Sequence, residues 1–377
     1  MLVVASIFFA LLLGEGTLRL LPGLLPEGAA IRLHWAEQVE ESPPSPHPYI
    51  GFVPRPEGFA EGEDASTASA RAIWGQRNLS PWPEHADIVV VGDSFSYSQT
   101  VDLDEAWTVL LDRALPDLRV ITLATIGSGP QQYLRVFETY GIPLSPELVL
   151  VGLFMGNDMF DAEVFDRWQN DASGDDYRKY RMHGEAGPAY VFLRRISEKS
   201  YLAALLRDSL RSRHLDEKLK GKTVELESGE QLQLVPRYVE IESARAVKGD
   251  PGFDATVRSM SDIRDLASAN EVACLVVLFP TKEEVYADFL QQDLSGLSNA
   301  IKGELDALGI DYLDLGPILR AKAREGRALY HEVDGHPNAL GYDVIGKAIA
   351  ENLSANADRY GLSPKTSEND TGVRSPD

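Results

Sequence analysis

From residue 85 onward, two kinds of apolar pattern alternate along the chain. Short, nearly unbroken apolar runs that end in turn residues are separated by segments with apolar residues every three or four positions. ADIVVVGDS (86–94), RVITLAT (119–125), ELVLVGLFM (147–155) and VACLVVLF (272–279) are of the first kind, and DYLDLG (311–316) is a shorter example. Such runs predict strands covered on both faces, as in parallel sheets. DEAWTVLLDRAL (104–115) is of the second kind, with Trp107, Leu110, Leu111 and Leu115 on one helical face and Asp104 and Glu105 in the first turn. PQQYLRVFETY (130–140), TVRSMSDIRDLASAN (256–270), the stretch from Glu283 to Ala307 and NALGYDVIGKAIAENLSANADRY (338–360) also predict helices. This alternation predicts an α/β fold, a three-layer α/β/α sandwich with a mostly parallel sheet.

Three regions depart from the rhythm. Residues 1–25 open with twelve residues, LVVASIFFALLL, that are apolar apart from Ser6, followed by a second apolar patch broken by Arg19 and Pro22. A spanning helix needs roughly 20 apolar residues, so the run has the length of a signal-peptide core. It predicts an export signal or membrane anchor, with a buried N-terminal helix as the alternative. Residues 26–84 are rich in Pro, Gly, Glu and Ser, and predict an extended linker. Residues 160–250 interrupt the α/β pattern, which resumes afterwards. They predict a lid-like insertion with a helix at 189–219 and a hairpin-like stretch at 222–242. The catalytic domain is expected to span 85–355, with a polar, disordered tail at 356–377.

Composition narrows the function. The chain has 377 residues, 44% of them hydrophobic, which is that of a globular protein. With 36 basic and 58 acidic side chains it carries a formal charge of −22, which argues against nucleic acid as a partner. The single cysteine, Cys274, excludes a disulfide framework, and its apolar strand context predicts an inert core thiol.

Four short blocks carry candidate chemistry. Gly92-Asp93-Ser94 ends the first strand, at the sheet edge where open α/β sheets place their ligands. On the tripeptide alone, a helix N-cap serine is the favoured reading. Gly127-Ser128-Gly129-Pro130 follows the second strand and Gly156-Asn157-Asp158 the third; each also reads as an ordinary turn. Asp334-Gly335-His336-Pro337-Asn338 precedes the last helix, where Asn338 suits the N-cap. A nucleophilic serine needs a base such as His, and that His needs an acid to hold its tautomer. No dinucleotide fingerprint follows the first strand, and Gly221-Lys222-Thr223 lacks the glycine of a P-loop because position 216 is Asp. His331, Glu332, Asp334 and His336 do not have the spacing of a zinc helix, and His183 and His214 fall in the insertion. No metal and no cofactor are expected.

Taken together and in this order, the blocks resemble those of the SGNH hydrolases, or GDSL esterase/lipase family. The resemblance covers about residues 86–158 and 251–353. It implies that Ser94 is the nucleophile, His336 the base and Asp334 its orienting acid. It also implies an oxyanion hole made of the Ser94 N–H, the Gly127 N–H and the Asn157 side chain. Two departures are visible: Ser98 stands where many relatives have glycine, and Asp334 precedes His336 by two positions instead of three. The shorter spacing resembles polysaccharide O-acetyltransferases of the alginate type, and FPTKEEVY (279–286) resembles a stretch in envelope members of the superfamily. The expected function is ester hydrolysis or O-acyl transfer on an acylated, in particular acetylated, carbohydrate, in the cell envelope and tied to the membrane through the N-terminal segment. The alternative is a catalytically idle carbohydrate-binding or scaffolding subunit of an envelope assembly. Trp168 and the tyrosines of the insertion are candidates for sugar stacking, with surface packing the plainer role.

Overall fold

The computed structural model describes residues 2–26, 29, 30, 33, 44–60, 62–171, 176, 177, 180, 181, 196, 199–206, 209 and 221–362. Its centre is a five-stranded parallel sheet: β1 (Ile88–Val91), β2 (Val120–Thr122), β3 (Leu148–Phe154), β4 (Ala273–Phe279) and β5 (Asp311–Asp314). The order across the sheet is β2-β1-β3-β4-β5, the doubly wound arrangement of flavodoxin-like folds. Ile88 pairs with Val120 on one side and Leu148 on the other. Leu148–Phe154 pairs residue for residue with Ala273–Phe279.

Side chains alternate across a strand, so each strand feeds two cores. Ile88, Val90, Leu150, Leu275 and Val277 face one layer, with Trp107 and Leu111 of α3 (Trp107–Ala114), Leu319 of α10 (Leu315–Ala323) and Ile345 and Ile349 of α11 (Ala339–Ala355). Val89, Val91, Val149, Val151 and Val276 face the other, with Tyr133 of α4 (Pro130–Val136), Phe253 and Ile263 of α7 (Pro251–Ala269) and Ile301 of α9 (Gly296–Leu308). Coverage of both faces is why the strands read as unbroken apolar runs. Further helices include α1 (Leu2–Leu20), α2 (Ser94–Tyr97), α5 (Asp158–Gln169), α6 (Pro236–Arg245) and α8 (Lys282–Val285).

Several boundaries differ from expectation. The helix predicted from Thr256 begins at Pro251, because Asp250 caps it by accepting from Gly252 N and Phe253 N. Asp104 and Glu105 form a separate 3-10 turn ahead of α3. Within the hairpin-like stretch, Lys222–Glu225 and Gln231–Leu234 do pair antiparallel, but the part from Pro236 is the helix α6, with proline in its first turn.

The largest correction concerns the linker. Of residues 26–84, the part from 44 is folded onto the domain. Ser45–His47 pairs with Gly51–Val53, Ala70–Trp74 is helical, and Ile50, Val53, Ile73 and Trp74 enter the second core. Trp74 is 1% exposed and its indole donates to the Ala124 carbonyl at 3.0 Å. Its prolines and glycines mark turns between buried anchors. The expected disordered tail at 356–377 is folded in its first part, where Ala357–Tyr360 is a 3-10 turn and Tyr360 and Leu362 are buried in the first core. Residues 363–377, parts of the insertion, the predicted helix at 189–219 with His214, and His183 lie wholly or largely outside the described residues. Among the described residues, no helix is long and apolar enough to cross a membrane.

Candidate active site

The carboxyl ends of the central strands carry the first three predicted blocks, and the loop before α11 brings the fourth to them. β1 ends at Val91, and the chain turns through Gly92 and Asp93 into α2. The helix cap is Asp93, whose Oδ1 accepts from Phe95 N at 2.9 Å. Ser94 is therefore the first helical residue, and its hydroxyl is released from capping. Ser94 Oγ donates to His336 Nε2 at 2.8 Å. On the other side of the ring, His336 Nδ1 donates to Asp334 Oδ1 at 2.6 Å. The same carboxylate oxygen accepts from the His336 backbone N–H at 2.9 Å, which the two-residue spacing allows within one turn. Asn338 caps α11 by accepting from Gly341 N at 3.0 Å.

Two buried cations hold the loops on either side of this triad, and neither is evident from the sequence. Arg77, from the segment expected as a linker, donates to the carbonyls of Tyr97 at 2.7 Å and of Ser98, fixing the turn after α2. Ser98 occupies the left-handed region there, with φ at 54°. Lys282, 2% exposed at the start of α8, donates to the carbonyls of His331, Glu332 and Asp334 at 3.0–3.1 Å. Backbone carbonyls are strong acceptors that must be paired when buried, so one ammonium organises the Asp334 loop. Its only sequence signal was its place in FPTKEEVY. Thr100 Oγ1 donates to the Pro337 carbonyl at 2.9 Å and ties the two loops together. The Gln99 carboxamide nitrogen lies 3.0 Å from His336 Nε2, and the Phe95 ring packs 4.6 Å from the imidazole.

Gly127 and Asn157, the predicted oxyanion donors, follow β2 and β3. Ser94 N–H, at the start of α2, has no intrahelical acceptor. Gly127 has φ of 72°, which suits glycine. Asn157 Nδ2 donates to Asp161 Oδ2 at 2.7 Å, so one of its two amide hydrogens is engaged. The Gly156 carbonyl accepts from the Tyr238 hydroxyl of α6. Behind the site, Asp158 accepts from Tyr133 Oη and Phe154 N, both at 2.8 Å. Burial raises the carboxyl of Asp158 well above its ordinary range, and the nearby Asp93 adds to this. Burial likewise pushes Asp93 up to about 6.

The other candidates lie elsewhere. Burial pushes the Cys274 thiol, in β4, up to about 12, leaving it a poor nucleophile. Trp168 packs 5.2 Å from both Phe165 and Tyr177, and Tyr177 is buried against Phe52 at 5.7 Å. Among the described residues, the side chains close enough to share a metal ion are His85, Asp87 and Glu147, not the histidines around Asp334. They lie at the amino ends of β1 and β3, across the sheet from Ser94.

Residues 238–376 match the family model described as SGNH hydrolase-like domain, acetyltransferase AlgX. That span holds Asp334 and His336, and the fold brings Ser94 to them from outside it. Over that span the chain is similar to the SGNH hydrolase-like family. No curated protein matches it. Among solved structures it is similar to a member of the lipolytic protein G-D-S-L family from Veillonella parvula, at 13% identity over 71% of this chain and 97% of that one, with a TM-score of 0.38. It is similar to TesA at 14% identity over 71% and 98% of the two chains, with a TM-score of 0.37. It is also similar to a catalytic mutant of the acetylxylan esterase Axe2 from Geobacillus stearothermophilus, at 8% identity over 72% and 95%, with a TM-score of 0.38. The five-stranded parallel sheet is the architecture that the alternation of apolar runs and amphipathic segments predicts.

Proposed function

We propose that this chain is a serine-dependent acyl-transfer enzyme that hydrolyses, or transfers the acyl group of, an acylated carbohydrate. The observation that carries this reading is the run Ser94 Oγ–His336 Nε2–Asp334, at 2.8 and 2.6 Å. His336 Nε2 takes the Ser94 proton as Oγ forms a bond to the ester carbonyl carbon. The oxyanion is met by the Ser94 and Gly127 N–H groups and the Asn157 amide. As the intermediate collapses, the carbon–oxygen bond to the leaving alcohol breaks and that oxygen takes the proton from Nε2. The second half runs in reverse with water or a sugar hydroxyl as acceptor, which gives hydrolysis or O-acyl transfer. The acetyltransferase description of the matching family supports acetyl as the group carried.

An idle binding subunit has no need of these three side chains within hydrogen-bond reach of one another, so their contact favours the enzyme. An envelope location, with the N-terminal segment at the membrane, is part of the same proposal. It is supported by the apolar surface of α1, where Phe9, Leu11, Leu12 and Leu13 are exposed. Ser94→Ala tests the function directly. It should abolish acetate release from 4-nitrophenyl acetate and labelling by a fluorophosphonate probe, while the melting temperature stays within about 2 °C, as expected for the loss of a single hydroxyl from a chain of this size. A folded Ser94→Ala protein that keeps its activity would overturn the triad.

A further inference from the structure

The oxyanion loops are joined by a pair of charges that belongs to neither the triad nor the four blocks. Asp161, in the first turn of α5, is 0% exposed. Its Oδ2 accepts from Asn157 Nδ2 at 2.7 Å, and its Oδ1 lies 2.5 Å from Arg181 Nη2. Arg181 belongs to the insertion, and its Nη1 donates to the Gly127 carbonyl. One guanidinium therefore bridges the loop after β2 and, through one carboxylate, the loop after β3.

The glycines of the TIGSG loop fit these two side chains. A Cβ on Gly127 would lie 2.7 Å from Arg181 Nη1, and a Cβ on Gly129 would lie 2.8 Å from Asp161 Cβ. At Gly129 a larger residue would push against α5 itself, and at Gly127 it would displace the end of the Arg181 side chain.

We propose that Asp161 and Arg181 are positioning residues that hold the Asn157 and Gly127 donors in register for the oxyanion. This rests on the reading of Ser94 as nucleophile. The physical reason is the choice of amide orientation. A carboxamide can present nitrogen or oxygen to a neighbour. Flipping Asn157 would set its Oδ1 against the Asp161 carboxylate, so the anion holds the nitrogen inward and leaves the second N–H for the substrate oxygen. A buried carboxylate is costly without a cation, and Arg181 supplies the cation. Its planar fork reaches the carboxylate and the Gly127 carbonyl together, as a lysine point charge does not. Gripping that carbonyl fixes the peptide planes beside the Gly127 N–H. The insertion thereby completes the oxyanion hole.

The test uses the full chain, with rates normalised to sites titrated by a fluorophosphonate. Arg181→Met should lower kcat on 4-nitrophenyl acetate by about 100-fold, the effect of losing one oxyanion donor. KM should change little, and inhibition by phenylboronic acid, which forms a tetrahedral serine adduct, should weaken by a similar factor. Arg181→Lys should recover part of the loss. Because the brace acts partly through Asn157, Arg181→Met should cost much less in an Asn157→Ala background than alone. Unchanged kcat per titrated site would overturn the proposal, as would equal costs in both backgrounds. Ser94→Ala run alongside separates the cases. An active Ser94→Ala removes the catalytic reading itself, whereas an inactive Ser94→Ala beside an unaffected Arg181→Met removes only the brace.

Discussion

Asp334→Asn separates two roles that the proposed mechanism gives one carboxylate. Asp334 Oδ1 accepts both from the His336 backbone N–H at 2.9 Å and from the ring Nδ1–H at 2.6 Å. Asparagine has the same shape and retains an oxygen that can take both bonds, so the turn and the imidazole tautomer survive. What it loses is the negative charge beside the imidazolium that the proposed mechanism forms when Ser94 is deprotonated. The two side chains retain only 16% and 22% of their surface, so water screens the pair weakly. Two unit charges about 4 Å apart at an effective dielectric near 20 interact by about 4 kcal/mol. A barrier raised by that amount slows kcat by about 10³-fold. The assay is kcat for acetate release from 4-nitrophenyl acetate, with a thermal melt to confirm folding. Asp334→Ala, which also removes both hydrogen bonds, should lose at least as much activity and melt lower. A folded Asp334→Asn that keeps more than about a tenth of wild-type kcat, a loss of under about 1.4 kcal/mol, would refute the electrostatic role and leave Asp334 as a turn residue.

Two further outcomes follow from buried charges. Lys282→Met removes the ammonium that three loop carbonyls share. It should cost about 2 kcal/mol of stability, read as a fall of about 3 °C in Tm, and lower kcat about 10-fold as the Asp334 loop loosens; an unchanged Tm and kcat would contradict this. Asp93 governs a pH dependence. Burial lifts its carboxyl from 3.8 to about 6, so between those values the folded chain holds a proton that the unfolded chain has released. Its contribution to stability therefore falls as pH rises from about 4 to about 6 and stays lowered above, by about 3 kcal/mol. Asp93→Asn keeps an oxygen for the Phe95 N–H cap, so it should match wild type near pH 4 and melt higher at pH 7.5. Equal melting temperatures at pH 7.5 would contradict the assignment.

The sequence by itself determined the sheet and its sidedness. The runs at 88–91, 148–154 and 273–279 are apolar at every step but one glycine, and only strands covered on both faces need that pattern. It also determined which residues stand at the carboxyl edge, because strand ends are marked by turn chemistry. It did not determine that Ser94 escapes capping. Asp93 and Ser94 are both good caps, and only the turn geometry gave the task to Asp93. Residues 44–84 looked like a linker because proline and glycine are read as punctuation. Trp74, Ile50 and Arg77 reveal a folded segment only once their partners, distant in sequence, are in place. The same holds for Lys282, Asp161 and Arg181. Each is one charge among several in its stretch of sequence with no periodicity to single it out, and its meaning lies in carbonyls and carboxylates contributed by other loops. Local pattern reports hydrophobic burial because that repeats along an element. Polar pairing across loops does not repeat, so only the tertiary structure decided it.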